Sequence, residues 1–167
     1  PYNSSSGTGA GHVRIYKTGS AYPISYQEFS KLTASDGAAG DFFGGSVSID
    51  GDTMVVGAQL DDRDHPVAWN TNDTGSSSGS AYVFTRNIAG NLTSGWTQVA
   101  KLTADSGEFD RFGNRVSIDG DTVVIGAYGH GEGDYGADGP SAGYIPMDIG
   151  AVYVFTRDTA GSLTSGW

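Results

Sequence analysis

Acidic side chains are the groups in this sequence best suited to binding chemistry, because carboxylate oxygens are ligands that Ca²⁺ prefers. They concentrate in two Gly-rich segments that are predicted to be loops after an apolar strand. The candidate Ca²⁺ ligands are Asp61, Asp62, Asp64, Glu132, Asp134 and Asp138. The two segments do not share a ligand pattern, which favours the alternative interpretation of a hydrated loop. The sequence leaves both interpretations open.

Two strings match motifs of enzymes but lack the structure that those motifs need. Residues 75–79 match the G-x-S-x-G string of hydrolases, yet they run from a Ser-rich loop into a predicted strand. Residues 131–136 match G-x-G-x-x-G but open no helix that would hold a pyrophosphate. Cysteine is absent, which excludes a thiol nucleophile and a Cys-ligated zinc site. We therefore expect no catalytic residue, no enzyme, and no cofactor besides Ca²⁺.

The charge of the chain also excludes classes of partner. Lys and Arg number 9 against 19 Asp and Glu, which gives a formal net charge of −10. A strongly negative surface repels phosphate backbones, so nucleic-acid binding is not expected. No apolar run approaches the roughly 20 residues of a membrane span. The first residues lack the features of a signal peptide and are expected to be an internal or processed end.

The elements that must position these groups recur along the chain. Residues 47–58 recur as 116–127, and residues 79–86 recur as 150–157, so the period is about 70 residues. Each copy holds four strand-like runs with tight turns such as Asp50-Gly51-Asp52, and no sustained helical period. A β-solenoid usually has much shorter repeats. We therefore predict an all-β chain of antiparallel four-stranded propeller blades, about two of them, in an incomplete ring.

The repeat also predicts the blade boundaries and the core. Residues 1–35 are expected to be the last two strands of a preceding blade, 36–104 a complete blade, and 105–167 the next blade without its fourth strand. The second strand of each blade is almost wholly apolar and should be buried between neighbouring blades. This buried set is Val55, Val56, Val123, Val124 and Ile125.

Several side chains recur with the repeat and are expected to serve it. An acidic pair flanks each Phe-Gly, which suggests turn capping or a tie between neighbouring blades; the pairs are Asp36 with Asp41 and Asp105 with Asp110. The Asp-Gly-Asp turns are expected to leave their carboxylates solvated. Recurring aromatics favour blade packing over a carbohydrate platform; they are Tyr82, Phe84, Trp96, Tyr153, Phe155 and Trp167. Gly57 and Gly126 should mark a strand end or a close backbone approach.

Three N-x-S/T sequons lie in predicted termini or loops, where a glycan would be accessible in a secreted protein. Their asparagines are Asn3, Asn72 and Asn91. Asn91 is replaced by Ser162 in the next copy, so this sequon is not a requirement of the repeat.

The pattern of Phe43-Gly44 followed by Gly57-Ala58, and its second copy, resembles the FG-GAP repeat. This repeat is the blade unit of integrin α-chain-like propellers, and the form here is similar to that of large secreted microbial repeat proteins. The family's Pro after Gly-Ala is replaced by Gln59 and Tyr128. Integrin-like blades often carry a Ca²⁺ loop, which is reduced here to Asp50-Gly51-Asp52 and its counterpart.

The resemblance implies an extracellular or cell-surface protein with a non-enzymatic structural or interaction role, building a surface matrix or filament. The expected partners are other copies of the chain or adjoining blades of a longer chain, together with glycans or cell-surface proteins. One alternative is a Ca²⁺-dependent adhesion or ligand-binding module of a larger receptor-like protein. Another is a non-catalytic segment of a propeller hydrolase or lyase.

Overall fold

The computed structural model describes residues 11–18, 25–61, 77–104, 110–130, 149–160 and 166–167. Every regular element among these residues is a β-strand. The strands are β1 (Val13–Thr18), β2 (Tyr26–Leu32), β3 (Ser46–Asp50), β4 (Thr53–Ala58), β5 (Ser80–Arg86), β6 (Trp96–Leu102), β7 (Phe112–Asp119), β8 (Thr122–Ala127) and β9 (Ala151–Thr156). None of the described residues forms a helix long and apolar enough to cross a membrane.

The strands form three antiparallel sheets in which neighbours in sequence are neighbours in space. The first sheet contains β1 and β2, the second contains β3 to β6, and the third contains β7 to β9. The Asp50-Gly51-Asp52 turn joins β3 to β4 with Asp50 paired to Thr53, as a tight hairpin requires. The all-β prediction is confirmed: the sheets are partial propeller blades, and the described residues form no closed barrel.

Burial along the strands follows their composition. Every residue of β4 and of β5 is buried, because these central strands are packed on both faces of the second sheet. The outer strands β3 and β6 alternate between more and less exposed positions, as strands at the two edges of a sheet do. The apolar run of β4 is therefore explained by its central position.

The second sheet lies between the other two. We call the side of the second sheet toward the first sheet its leading face, and the side toward the third sheet its trailing face. In the same way, the leading face of the third sheet is the side toward the second sheet, and its trailing face is the opposite side. A buried cluster on the leading face contains Leu32, Phe43, Met54, Val56, Ala58, Tyr82, Phe84 and Trp96. A second cluster joins the trailing face to the leading face of the third sheet, and it contains Val55, Ala81, Val83, Leu102, Phe112, Ile118, Val123, Ile125 and Ala127. We call this second contact the built seam.

The predicted buried set is confirmed at four positions and wrong at Val124. Val55, Val56, Val123 and Ile125 have no exposed surface, whereas Val124 is 37% exposed. Val124 lies on the trailing face of the third sheet, which no other described sheet covers. Its counterpart at the same position of the repeat, Val55, lies in the built seam. The continuous apolar run predicts burial on both faces only where a further sheet packs on the strand.

The Phe-Gly dipeptide begins each repeat with an unusual backbone. Phe42 and Arg111, the residues before the two dipeptides, have φ angles of 58° and 57°. Non-glycine residues rarely adopt this left-handed conformation, so its recurrence is a constraint of the repeat. The turn directs the following phenylalanine into the core, where Phe43 and Phe112 are buried.

The recurring aromatic rings pack within the sheets, and the prediction of blade packing is confirmed. Phe43 lies edge-on to Tyr82 and Phe84, with ring centroids 5.5 and 6.0 Å apart. The third sheet repeats this arrangement with Phe112 against Tyr153 and Phe155, at 5.3 and 6.0 Å. Edge-on pairs of this kind contribute about 0.5–1.5 kcal/mol beyond the area they bury.

Candidate functional site

One of the six candidate Ca²⁺ ligands, Asp61, falls among the described residues. Asp62, Asp64, Glu132, Asp134 and Asp138 lie outside them. Within the described part of the chain, no three His, Cys, Asp or Glu side chains come together in a group that could hold a metal ion. Of the six candidate ligands, Asp61 is therefore the one whose surroundings the structure describes.

Asp61 belongs to a cluster of four polar side chains, which we call the polar cluster; its members are Asp36, Asp61, Tyr82 and Lys101. The Tyr82 hydroxyl lies 2.9 Å from Oδ1 of Asp36 and 3.0 Å from Oδ2 of Asp61, so it can donate to either carboxylate. Nζ of Lys101 lies 2.6 Å from Oδ2 of Asp36 and 2.8 Å from Oδ2 of Asp61. One ammonium thus bridges two carboxylates.

Four separate segments position the polar cluster. Asp36 comes from the connection between β2 and β3, and Asp61 lies in the connection after β4, which ends at Ala58. Tyr82 and Lys101 lie opposite each other on the paired strands β5 and β6. Nζ of Lys101 also lies 5.4 Å above the Tyr82 ring. The cluster therefore ties two loops to β5 and β6, a central strand and an edge strand of the second sheet.

The pKa values of these groups show which forms the cluster stabilises. Burial, followed by the nearby Asp61 and Asp36 carboxylates, raises the pKa of Tyr82 far above its ordinary value. Burial alone would raise the pKa of Asp36, but hydrogen bonds from Lys101 and Tyr82 outweigh it and lower that pKa. Burial alone would lower the pKa of Lys101, but hydrogen bonds with both carboxylates outweigh it and raise that pKa.

This arrangement suits a structural role, in which the polar cluster holds two loops against the second sheet. A lysine acts as a nucleophile or base when its pKa is lowered, and here the pKa of Lys101 is raised. A tyrosine whose pKa is raised stays protonated and serves as a hydrogen-bond donor. The Lys101 ammonium, 2.8 Å from Oδ2 of Asp61, also occupies a position in which a metal cation could contact that oxygen. A calcium site on this side of the blade would depend on the candidate ligands outside the described residues.

The loop that carries Asp36 is held at further points. The backbone N–H of Ser35 donates to Oε1 of Gln98 at 3.0 Å, and the amide nitrogen of Gln98 donates to the hydroxyl of Ser35 at 3.0 Å. The buried carboxylate of Asp41 accepts a hydrogen bond from the backbone N–H of Ala38 at 2.5 Å. Asp41 therefore caps a turn, and Asp36 ties its loop to the second sheet.

The corresponding end of the third sheet uses different groups. His130 stands in the place of Asp61, and its Nδ1 lies 2.9 Å from Oδ2 of Asp110, the counterpart of Asp41. The guanidinium of Arg111 donates to the Tyr128 hydroxyl at 2.6 Å. Asp105, the counterpart of Asp36, lies outside the described residues. The two repeats share backbone hydrogen bonds at this end, such as those from Leu60 to Asp41 and from Gly129 to Asp110, whereas the side chains of Asp61 and His130 have different partners.

The opposite end of the blades carries an arrangement that does recur. Asp52 of the hairpin turn pairs with Nε of Arg86 at 2.6 Å, and the Arg86 guanidinium lies 4.5 Å above the Trp96 ring. In the third sheet, Asp121 pairs with Arg157 at 3.3 Å, and the guanidinium lies 4.7 Å above the Trp167 ring. The prediction of the turn is correct, but its second Asp is paired with an arginine rather than simply solvated.

Hydrogen bonding also lowers the pKa of Asp52. The backbone N–H of Gly90 makes the largest contribution, and Arg86 adds to it. The Gly90 N–H donates to Oδ2 of Asp52 at 2.6 Å. Asp52 thus fastens both the β5–β6 connection and the end of β5 to its own turn.

The built seam combines the apolar cluster with hydrogen bonds between equivalent strands. Ser46, Ser48 and Asp50 on β3 point their side-chain oxygens at β7. Those oxygens accept hydrogen bonds from the backbone N–H groups of Val116, Ile118 and Gly120 at 3.0, 3.2 and 2.7 Å. At the end of the seam, the Arg157 guanidinium donates to Oγ1 of Thr53 at 2.8 Å. The edge of β7 is therefore satisfied by side chains of the preceding blade.

The Asn91 sequon is the one that falls among the described residues, and it lies in the exposed β5–β6 connection. Oδ1 of Asn91 accepts hydrogen bonds from the backbone N–H and the hydroxyl of Thr93, at 2.9 and 2.7 Å. Asn3 and Asn72 lie outside the described residues. Glycan attachment at the three positions stays a prediction.

Sequence reasoning did not identify the cations of these contacts. In the sequence, Lys101 and Arg86 are seen only as members of repeated strings. The nearer partner of Lys101, Asp61, lies 40 positions away along the chain, and Asp52, the partner of Arg86, lies 34 positions away. The available signal was joint recurrence: Asp52 and Arg86 reappear together as Asp121 and Arg157. Opposite charges that recur as a pair predict an ion pair within the repeat. No such signal exists for Lys101, because its counterpart Lys31 shares none of the partners that Lys101 has in the polar cluster.

Comparison with known proteins agrees with this architecture. The FG-GAP repeat model matches residues 26–84 and again residues 96–155, which together make up more than half of the chain. A comparison with curated proteins found no match. Because each matched segment contains one Phe-Gly turn and the strands on both sides of it, the chain belongs to the FG-GAP repeat family and is a propeller-type repeat module.

Proposed function

We propose that this chain is a non-enzymatic, extracellular structural module whose blades build a surface matrix or filament. The observation that carries the proposal is the built seam. Its apolar cluster, together with the hydrogen bonds that side chains of β3 accept from the backbone of residues 116–120, joins one repeat to the next. A surface of this kind can be extended by any further blade with the same sequence pattern.

The polar groups supply a second line of support. The polar cluster contains Asp36, Lys101 and Tyr82, whose pKa shifts favour fixed ion pairs and a neutral hydroxyl. The Asp52–Arg86 pair likewise fastens a turn to the end of a strand. These contacts stabilise blades, which is what a structural repeat requires.

Extracellular location is part of the proposal and rests on family membership and charge. FG-GAP repeats are typical of extracellular and cell-surface proteins, and a net charge of −10 suits a hydrated exterior. The partners we propose are adjoining blades of a longer chain or other copies, with glycans or cell-surface proteins at the exposed loops.

Immunogold electron microscopy of the native material tests this function. Antibodies raised against the chain should label a continuous layer or fibre outside the cell. Label confined to the cell interior, or on discrete particles of uniform size without contacts between copies, would contradict the proposal.

A further inference from the structure

The connection between β5 and β6 presents two large apolar side chains to solvent from a backbone that is held in place. Ile88 and Leu92 are 58% and 75% exposed. The backbone N–H of Asn87 donates to the carbonyl of Gly95 at 2.8 Å, which closes the connection at its base. The hydroxyl of the buried Ser94 accepts a hydrogen bond from the N–H of Ile88 at 3.2 Å. These contacts fix where the two exposed side chains lie.

Asn91 lies between these two side chains along the chain, and its carboxamide has a defined orientation. Oδ1 accepts hydrogen bonds from the backbone N–H and the hydroxyl of Thr93. Because a backbone N–H can only donate, the carboxamide atom that faces it is the oxygen. Nδ2 therefore points away from Thr93, and no described residue accepts a hydrogen bond from it. This nitrogen is the atom of a sequon to which an N-linked glycan is bonded.

The next repeat differs from this one at two of these positions together. Thr159 replaces Ile88 and Ser162 replaces Asn91, so that copy has neither the isoleucine nor the sequon. The sequence after the sequon asparagine is kept, since residues 92–96 recur as 163–167. The joint change shows that the repeat itself requires neither Ile88 nor Asn91. We therefore look for a role that these two residues share in this one blade.

We propose that Asn91 carries an N-linked glycan whose first sugars cover Ile88 and Leu92. The proposal rests on the extracellular part of the proposed function, because sequons are modified in secreted proteins. It deepens that function by naming a modification and by assigning one end of the blade to solvent. A bulky, hydrated glycan prevents close packing of another protein on the end that carries the Asp52–Arg86 pair.

Attachment of the glycan needs a co-reactant, an oligosaccharide donor of the lipid diphosphate class. Nδ2 of Asn91 gives one proton to a base of the transferring enzyme and forms a bond with the anomeric carbon of the first sugar. The bond between that carbon and the diphosphate oxygen breaks, and its electron pair leaves with the lipid diphosphate. Because the new bond is made at the nitrogen, Oδ1 keeps its hydrogen bonds with Thr93 in the product.

Mass spectrometry of the native protein tests the attachment. Trypsin cleaves after Arg86 and after Lys101, so residues 87–101 form one peptide with a single sequon. Release of the glycan by an asparagine amidase in heavy-oxygen water should leave a heavy-oxygen aspartate at position 91 in most copies of this peptide. Recovery of mostly unmodified Asn91 would overturn the proposal.

Two substitutions at Thr93 separate the sequon from the turn when the chain is produced in a secreting eukaryotic host. Thr93→Ala removes the sequon hydroxyl but keeps the backbone N–H that Oδ1 of Asn91 binds. Its peptide 87–101 should be unmodified. Thr93→Ser is the matched control, because it keeps the sequon, and its peptide should be modified like that of the wild type. A Thr93→Ala peptide that still carries the sugar would reject an N-linked glycan on Asn91.

Hydrophobic-interaction chromatography tests whether the glycan covers the two apolar side chains. Removal of the glycan from the folded wild-type chain should lengthen its retention, because Ile88 and Leu92 become accessible. The double variant Ile88→Thr with Leu92→Ser keeps the sequon and removes both apolar side chains. Its retention should lengthen less, and equal lengthening in the two proteins would show that the sugars do not cover these residues.

The proposed function and the glycan can fail separately. A layer or fibre labelled outside the cell, together with an unmodified peptide 87–101, would reject the glycan and leave the proposed function standing. A modified peptide from protein that forms only discrete particles would support the glycan and reject the matrix or filament.

Discussion

A Cβ atom on Gly57 would lie 1.9 Å from the carbonyl oxygen of Gly113 on the other side of the built seam. No side chain fits that space, so glycine at this position sets how closely the second and third sheets approach. Gly126 has the same position in the next repeat, but a Cβ there would be 3.7 Å from the nearest atom, the Cβ of Arg115. The same position of the repeat is thus closely packed at Gly57 and loosely packed at Gly126.

This difference predicts opposite outcomes for the same substitution. Gly57→Ala should lower the free energy of unfolding by about 1–3 kcal/mol or more, because the two backbones must separate. Gly126→Ala should leave it unchanged or raise it by up to about 1 kcal/mol, since alanine restricts the unfolded chain. Urea unfolding of both variants measures the difference, and equal losses would mean that the seam is not closely packed.

The ion pairs of Arg86 with Asp52 and of Arg14 with Glu28 should contribute differently to the free energy of unfolding, because the first is more buried than the second. Arg86→Met should cost about 1–3 kcal/mol, because it leaves Asp52 partly buried without its cation. Arg14→Met breaks the exposed pair with Glu28 and should cost about 0–1 kcal/mol. Denaturant unfolding at low and high salt checks this: only the Arg14 variant should resemble the wild type, and a reversed order would contradict the structural role of Asp52.

The polar cluster predicts a stability that falls at both ends of the pH range. The pKa of Asp36 is lowered from 3.8, so its stabilising contribution is present above that value and is lost as the pH falls below it. The pKa of Lys101 is raised from 10.5, so its contribution is present below that value and is lost as the pH rises above it. Urea midpoints measured from acid to alkaline pH should therefore show a plateau between these values.

Lys101→Met identifies the residues responsible for this profile. The variant should have a shallower alkaline fall, which Tyr82 with its raised pKa still maintains in part, and a shallower acid fall, with a cost of about 1–3 kcal/mol at neutral pH. Lys31→Met is the matched control, because Lys31 is the exposed counterpart of Lys101 at the same position of the repeat. A Lys31 variant that flattens the profile as much as the Lys101 variant would contradict the assignment to the polar cluster.

Sequence reasoning predicted the strands, their turns and most of the core, because these depend on local alternation and on the repeat. It failed at Val124, since burial of that residue depends on which blade packs against the third sheet and not on the strand itself. It also missed Lys101 and Arg86, whose partners are brought close only by the pairing of β5 with β6 and by the fold of the turns. Identical strings predict identical strands, but they do not predict identical neighbours.

Calcium should not stabilise the chain if its loops are simply hydrated. We expect the midpoint of thermal unfolding to be the same in excess Ca²⁺ and in a chelator, because Asp61 is already paired with Lys101. Asp62→Asn should likewise leave the midpoint unchanged. A rise in the midpoint with Ca²⁺ that Asp62→Asn abolishes would instead support the adhesion-module alternative.

Unfolding of Val55→Asp beside Val124→Asp tests most directly the claim that the repeats are blades stacked through the built seam. The measurement is urea unfolding at a concentration where the chain is monomeric. Val55→Asp should cost several kcal/mol, enough to remove cooperative unfolding from a domain of about 5–15 kcal/mol stability, because it buries a charge inside the seam. Val124→Asp should cost less than about 1 kcal/mol on its open face. Equal stability of the two variants, or a Val55→Asp chain that unfolds like the wild type, would contradict the stacked-blade structure.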